Sequence, residues 1–200
     1  MNQKIKKECQ DLLKIKGRIR GVILQTDINY VLQRKGEEGV KRIEQGFKEL
    51  GFPIDFKEIK AVGWYPLGWA MVFGVLALKF FNWPESDMVE FGKQAPKFSF
   101  LIRALAKYLL SPKVLLKASS KLWTKQVNIG KAELVEFDGQ KKQAAVQIKG
   151  IEGHWIICDY IRGYLETIVA LTLKDGEVKV EETKCVLKGD PYHQFKITWQ

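Results

Sequence analysis

The sequence predicts an α+β fold: a helical N-terminal half packed on a small antiparallel sheet, with one long helix between the two hairpins of that sheet. Residues 1–126 carry apolar side chains at helical spacing, and from residue 127 the pattern changes to short runs separated by turn residues. A chain of 200 residues with 46% hydrophobic residues can bury one large core. We therefore predict a single domain, mainly helical over 1–126 and strand–strand–helix–strand–strand over 127–200.

Glycine and proline divide the helical half. A short helix is expected over 5–15 and an extended segment over 18–24. Thr26 or Asp27 can cap the next helix, which ends near Gly36. Further helices are predicted over 37–50, 66–78, 86–93, 98–110 and 112–126, the last two separated by Ser111-Pro112.

The stretch Ala61–Leu78 contains 18 uncharged residues, which approaches the ~17–25 residues of a membrane-spanning helix. Pro66 is expected to begin the helix, so its apolar part has thirteen residues before Lys79. We predict a buried core helix.

The C-terminal part is predicted to form strands over 127–137 and 143–149, a helix over 154–171, and a closing hairpin over 177–187 and 192–199. If Gly189-Asp190 is the turn, Cys185 and His193 become facing neighbours with Cβ atoms about 5 Å apart. A zinc ion can bridge side chains at that separation. A buried thiol beside a core histidine is the alternative interpretation, and spacing alone leaves both open.

Three cysteines at unrelated spacings make no disulfide framework, and residues 1–20 lack the apolar core of a secretion signal. We expect a cytoplasmic protein, with peripheral membrane attachment as an addition. There is no phosphate-binding loop, dinucleotide fingerprint or nucleophile elbow, so a non-catalytic function is predicted.

No acidic residue occurs between Glu90 and Glu133, and that interval carries nine basic residues. They are Lys93, Lys97, Arg103, Lys107, Lys113, Lys117, Lys121, Lys125 and Lys131. Several are four apart and line one helical face, most regularly Lys113, Lys117, Lys121 and Lys125. Such a face at 93–131 can be a solvated surface, or it can bind an anionic membrane or an acidic protein in a tethering module. No recognition motif accompanies it, so sequence-specific nucleic acid binding is not predicted.

The segment from Gly153 to Trp199 resembles the 4-vinyl-reductase, or hydrocarbon-binding, domain family, which includes sensor domains of activators of aromatic catabolism. The matching elements are Trp155, Gly163-Tyr164, Glu182-x-x-Cys185 and Gly189-Asp190-Pro191. The aromatic-sensor domains have a zinc site of three cysteines and a glutamate. By position the resemblance implies a closed, structural zinc site whose ligands are His154, Glu182, Cys185 and His193.

The N-terminal half, with Lys35-Gly36-Glu37-Glu38-Gly39 and Gly63-Trp64-Tyr65-Pro66, is similar to a myxobacterial paralogue family of the same broad superfamily. That superfamily also holds haem nitric-oxide-binding domains and Golgi-transport tethering subunits. The resemblance implies an internal apolar pocket for a small hydrophobic ligand, aromatic or acyl, and a homodimer. The candidate lining residues are Trp64, Trp69, Phe73, Phe98 and Trp155.

Haem is not predicted, because the Tyr-x-Ser-x-Arg element of the haem branch is absent and both histidines have competing roles. The leading hypothesis is a sensor domain with an apolar pocket and a structural zinc. A metalloenzyme is less favoured, because four protein ligands leave no open metal position.

Overall fold

The computed structural model describes residues 1–98, 111–151, 154–173 and 176–200, with the side chains of 97 and 98 left undescribed. The chain forms two compact units, Met1–Asp87 and Met88–Gln200. Helices and antiparallel strands are combined as the α+β prediction requires.

The first unit contains three helices and two short strands among its described elements. They are α1 (Gln3–Leu12), β1 (Arg18–Arg20), α2 (Gly21–Glu49), a 3₁₀ turn (Phe56–Glu58), β2 (Trp64–Pro66) and α3 (Leu67–Phe81). Strands β1 and β2 pair antiparallel, with Ile19 opposite Tyr65.

Helix α2 begins at Gly21, directly after β1, and the predicted start at Thr26 or Asp27 is wrong. The backbone amides of Gly21 and Val22 donate to the carbonyls of Gly63 and Ala61, at 2.9 Å each. These bonds satisfy the first amides of the helix, so no capping side chain is needed. A tertiary contact of this kind leaves no local signal in the sequence.

Gly36 interrupts α2, as the sequence predicted. Its φ of 66° and ψ of −172° are non-helical, and the helix resumes in a new direction after it. A positive φ at this point favours glycine over residues with a Cβ.

Helix α3 begins after Pro66, which confirms the prediction of a core helix, and ends at Asn82 in the left-handed conformation. Ten of its residues are buried, in an unbroken run from Met71 to Leu78 preceded by Leu67 and Gly68. Within the described ranges, no helix combines the length and the apolar character needed to cross a membrane.

The second unit contains a four-stranded antiparallel sheet. The described elements are α4 (Asp87–Phe98), α5 (Pro112–Lys117), α6 (Ser119–Gln126), β3 (Lys131–Asp138), β4 (Gln143–Lys149), α7 (Trp155–Ala170), β5 (Val178–Lys184) and β6 (His193–Trp199). The sheet order is β3-β4-β6-β5, so the two hairpins join through β4 and β6. Helix α7 lies between them in sequence, as predicted.

The sequence predicts two helices between residues 98 and 126. The one predicted over 98–110 lies, beyond residue 98, outside the described residues. The one predicted over 112–126 is two helices, because the helix is interrupted at Ala118. Two serines follow that residue, and serine competes with helical hydrogen bonds through its side chain.

Helices α4 and α7 cross at a pair of glycines. A Cβ built on Gly92 would overlap the carbonyl oxygen of Tyr160, and one built on Gly163 would overlap that of Val89. The two backbones are therefore in direct contact, which positions α7 against its neighbour. Helix α7 also packs against β5 and β6 and buries Ile156, Cys158 and Ile168 among its residues.

Candidate metal centre

Three segments of the second unit bring four metal-ligating side chains together. Cys158 lies in α7, Glu182 in β5, Cys185 just after β5, and His193 at the start of β6. One ligand atom from each lies within 4.8 Å of the others. A cluster of two thiols, an imidazole and a carboxylate contains ligand types that bind zinc.

A bulge in β5 explains how Glu182 and Cys185 reach the same site. Residues three apart on a regular strand point to opposite faces of the sheet. The register shifts between Glu182 and Lys184, so one extra residue is inserted on the β5 side. That insertion reverses the alternation, and Cys185 then faces the same side as Glu182.

The hairpin turn presents Cys185 to His193. The chain makes a 3₁₀ turn over Val186–Lys188 and reverses at Gly189, whose φ is 91°. The Asp190 carboxylate accepts a hydrogen bond from the Cys185 backbone amide at 2.9 Å. This bond holds the extended backbone of Cys185 at the end of the strand.

The two distances from the Cys158 sulfur match the edges of a zinc tetrahedron. The Cys158 Sγ is 3.8 Å from the Cys185 Sγ and 3.5 Å from the His193 Nδ1. Zn–S bonds of ~2.3 Å and Zn–N bonds of ~2.0 Å at tetrahedral angles give S···S edges of about 3.8 Å and S···N edges of about 3.5 Å. The His193 Nδ1 lies 3.0 Å from the Glu182 Oε1, within direct hydrogen-bonding distance.

The cluster is shielded from solvent. His193 is 1% exposed, Cys185 3% and Cys158 6%. Burial, followed by the adjacent Glu182, raises the pKa of the Cys158 thiol. Without a cation this thiol therefore stays protonated, and a bound metal would supply the positive charge that favours the thiolate. Four protein ligands leave no open position, which is the pattern of a structural site.

The structure differs from the predicted ligand set at one position. Cys158, not His154, joins Glu182, Cys185 and His193 among the described residues. His154 is the N-cap of α7, with extended φ and ψ of −136° and 144°, whereas Cys158 lies one helical turn further on. Cys158 is absent from the predicted set, although its place four residues after His154 was a usable signal.

The predicted pocket residues are distributed over both units, and a shared lining stays a prediction. Trp69 and Phe73 lie one turn apart on α3 and pack against Phe47 and Phe56, at ring-centroid distances of 6.3 and 5.3 Å. Their i, i+4 spacing thus serves the aromatic core of the first unit.

Of the other three, Trp64 belongs to the first unit, and Phe98 and Trp155 belong to the second. Trp64 is half-buried in β2 beneath the Arg20 guanidinium, 4.1 Å from its ring centroid. Trp155 is half-buried at the start of α7, and the side chain of Phe98 is outside the described set.

One open groove in the first unit has a volume of about 600 Å³. It is lined by side chains from both arms of α2 and from residues 55–59, and these include charged and apolar residues. None of the predicted pocket residues lines it.

The four lysines of the predicted binding face, Lys113, Lys117, Lys121 and Lys125, are all exposed. Lys93, at the other end of the basic interval, forms ion pairs with Glu90 at 2.8 Å and Glu166 at 3.5 Å. Arg103 and Lys107 lie outside the described residues.

No protein-family model matches the chain, and no curated protein matches it. Solved structures do match. An H-NOX protein from S. oneidensis in the Fe(II)NO ligation state has a TM-score of 0.70 at 12% identity, covering 91% of this chain and 99% of that one. This chain has the H-NOX fold.

Two further H-NOX structures agree. The Fe(II) unliganded protein from K. algicida has a TM-score of 0.65 at 12% identity, with 91% and 97% of the two chains covered. An oxygen-binding H-NOX domain related to soluble guanylate cyclases, in its oxygen complex, has a TM-score of 0.63 at 13% identity, with 91% and 95% covered. These neighbours show the fold of the chain. Membership of the 4-vinyl-reductase family stays a prediction.

The comparison corrects the prediction against haem. The Tyr-x-Ser-x-Arg element is absent, yet the chain has the fold of haem-binding H-NOX domains whose structures are in Fe(II), NO-bound and oxygen-bound states. A missing short element was therefore not a sound reason to exclude the cofactor. At 12–14% identity, a fold can persist while most short motifs change.

Proposed function

We propose that this chain is a small-ligand sensor domain of the H-NOX fold whose last helix and closing hairpin are joined by a zinc ion. The observation that supports the zinc ion is the cluster of Cys158, Glu182, Cys185 and His193, with its ligand atoms within 4.8 Å of one another. The similarity to domains in NO-bound and oxygen-bound states supports the sensor role.

In this proposal the zinc is a cross-link. Cys158 and Cys185 bind it as thiolates, His193 through Nδ1 and Glu182 through a carboxylate oxygen. Because Cys158 belongs to α7 and the other three to the β5–β6 hairpin, the ion holds the helix on the sheet. Metal binding of this kind contributes directly to the folding free energy.

Elemental analysis of the purified protein tests the zinc site. We expect about one zinc per chain, lost in Cys158→Ser and in His193→Ala. His154→Ala is the matched control. If the ligands are the four clustered side chains, this variant keeps its zinc, whereas the ligand set predicted from the sequence requires that zinc is lost. Absence of metal from a folded wild-type protein prepared without chelators would contradict the site.

The sensed ligand has two candidate classes. The sequence resemblance implies an aromatic or acyl molecule, and the H-NOX fold favours a diatomic gas bound at haem iron. His193 contacts both Cys158 and Glu182 through Nδ1. A histidine-ligated haem would therefore use His154, the histidine outside the cluster.

Absorption spectroscopy separates these classes. If haem is the cofactor, titration of the purified protein with haem gives a Soret band that shifts on adding NO, and His154→Ala changes it while zinc content stays normal. If the ligand is apolar, the protein gives no stable haem complex, and native mass spectrometry detects a co-purifying hydrophobic molecule. The native mass spectra also give the oligomeric state, so they test the predicted homodimer.

A further inference from the structure

The positive charge of this protein is concentrated in one part of the sequence. Residues 91–132 hold nine basic residues and no acidic one, a net charge of +9. The whole chain has a net charge of +10, so the other 158 residues together contribute +1. Positive and negative side chains that were evenly mixed along the sequence would not give this distribution.

In the described part of that stretch, the charge lies on α5 and α6. Lys113 and Lys117 are exposed on α5, and Lys121 and Lys125 are exposed on α6. Among the described residues, Lys113, Lys117 and Lys121 have no carboxylate within ion-pair distance. Lys93 differs, because Glu90 and Glu166 neutralise it. We call the four exposed side chains the lysine face.

The opposite sides of both helices hold them on the sheet. Leu115 and Leu116 are each 2% exposed, and the Trp123 indole donates a hydrogen bond to the Ile129 carbonyl at 2.9 Å. Both helices contact β3. The lysine face is therefore presented outward by a supported surface, and Val114, 50% exposed, lies beside it.

We propose that the lysine face binds the surface of an anionic phospholipid membrane. Like charges four apart destabilise a helix, so their retention on two short helices points to a negatively charged partner. Lysine is a compact point charge that suits a laterally uniform layer of phosphate and carboxylate groups. The exposed Val114 adds a small apolar contact at headgroup depth.

The composition of the face argues against other polyanions. Lysine is depleted at protein–protein interfaces, where aromatic residues and arginine are enriched, and residues 111–132 contain no arginine. Single-stranded nucleic acid binding relies on stacking against exposed aromatic rings. The one aromatic residue of 111–132, Trp123, is half-buried and hydrogen-bonded to Ile129.

Vesicle flotation tests this proposal, with phosphatidylcholine vesicles prepared with and without phosphatidylserine. Wild-type protein is expected to float only with the anionic vesicles, and less so as salt is added. Each lysine near such a surface contributes about fivefold to partitioning, so Lys113→Glu/Lys117→Glu should reduce it by roughly 25-fold or more. Lys121→Glu/Lys125→Glu should do the same.

The matched control is Lys4→Glu/Lys7→Glu on α1, which changes the net charge by the same amount at exposed positions. An acidic residue in the first turn of α1 is compatible with the helix dipole, so this variant should fold. Retained flotation in the control supports a defined face. Equal loss in all three variants would show a mere net-charge effect and overturn the proposal, as would binding to duplex DNA without binding to vesicles.

Circular dichroism and the zinc content of each variant separate failure to bind from failure to fold. If folded wild-type protein does not bind anionic vesicles at low salt, the proposal is wrong.

Discussion

Asp190 shows how one side chain outside the ligand set can position the site. Its carboxylate accepts the Cys185 amide at 2.9 Å, and its own amide donates to the Cys185 carbonyl at 3.2 Å. Cys185 therefore has both backbone groups held by the same turn residue. Such supporting contacts orient a ligand before the metal arrives.

Asp190→Ala should weaken zinc binding about 10–100-fold while leaving the fold intact, because the carboxylate bond to Cys185 is lost. Competition with a chromophoric chelator measures this affinity. The control is Asp138→Ala, which removes the matching turn contact of the β3–β4 hairpin, where the Asp138 carboxylate accepts from the Gln140 and Lys141 amides. Equal zinc affinity in wild type and Asp190→Ala would show that the turn alone positions Cys185.

Asp138 also makes the β3–β4 turn sensitive to acid. The backbone hydrogen bond from Lys141 is the main cause that lowers the pKa of this carboxyl, with a further one from Gln140. Because this pKa is lower in the folded state, the carboxylate stabilises the turn fully above the unfolded-state pKa of about 3.9. The stabilisation is lost as the pH falls through the folded-state pKa.

We expect amide exchange at Gln140 and Lys141 to accelerate as the pH is lowered below about 4, relative to the intrinsic exchange rate. NMR titration of the Asp138 side-chain carboxyl gives its pKa directly. In Asp138→Asn the acid-dependent step should disappear, because an amide does not titrate in this range. A normal Asp138 pKa would contradict the turn contact.

The site residues themselves were partly predictable. The sequence places Cys185 and His193 on either side of a hairpin turn that contains Gly189. The structure has this hairpin. Cys158 was missed although it lies four residues after His154, because the packing of α7 on the sheet decides which of the two side chains joins the cluster. The bulge that turns Cys185 to the side of Glu182 also has no signature in the strand pattern.

Among the elements, the α4–α7 crossing depends on Gly92 and Gly163. Each glycine meets the backbone of the opposite helix, leaving no room for a Cβ. Helix propensity alone would favour alanine over glycine by ~1 kcal/mol. A Cβ at either position would push the two packed backbones apart, and the free energy that this costs exceeds the gain in helix propensity.

Gly163→Ala should therefore lower the free energy of unfolding by about 1–3 kcal/mol, measured by urea denaturation. Gly139→Ala serves as the control, because its Cβ would have ordinary space, 3.4 Å from the Phe137 ring, and its φ is outside the left-handed region. A neutral or stabilising effect of Gly163→Ala would show that the helices separate without cost.

Element prediction succeeded where local patterns control the structure. Pro66 and Gly36 mark a helix start and a kink, and both hairpins follow from their turn residues. The start of α2 was missed because its first amides are satisfied by the carbonyls of residues 61 and 63, far along the chain. The break at Ala118 was missed because helical spacing continues across it.

At the scale of the whole molecule, the chain combines two compact units, and all four candidate ligands belong to the second. The H-NOX fold across 91% of the chain was not accessible from the sequence alone, because 12% identity retains few shared motifs. What the sequence supplied was the α+β class, together with a resemblance carried by short elements around the closing hairpin.

Zinc removal should therefore act on the second unit. The ion joins α7 to the β5–β6 hairpin, and a ligand that binds only the folded state stabilises the segments it connects. After chelation, we expect hydrogen exchange to accelerate about tenfold or more at amides in 155–170 and 178–199, with little change in 1–87. Mass spectrometry of peptides from the two units measures both.

Cys158→Ser provides the control for the chelator, because that variant should lack zinc and show no further change on treatment. Its exchange pattern should resemble that of the chelated wild type. Acceleration spread evenly over both units would mean that the metal supports the whole chain, and unchanged exchange in α7 and the hairpin would mean that the four side chains pack without it. The expected outcome, loss of protection confined to the second unit, follows from the placement of the four ligands, because no ligand connects the first unit to the ion.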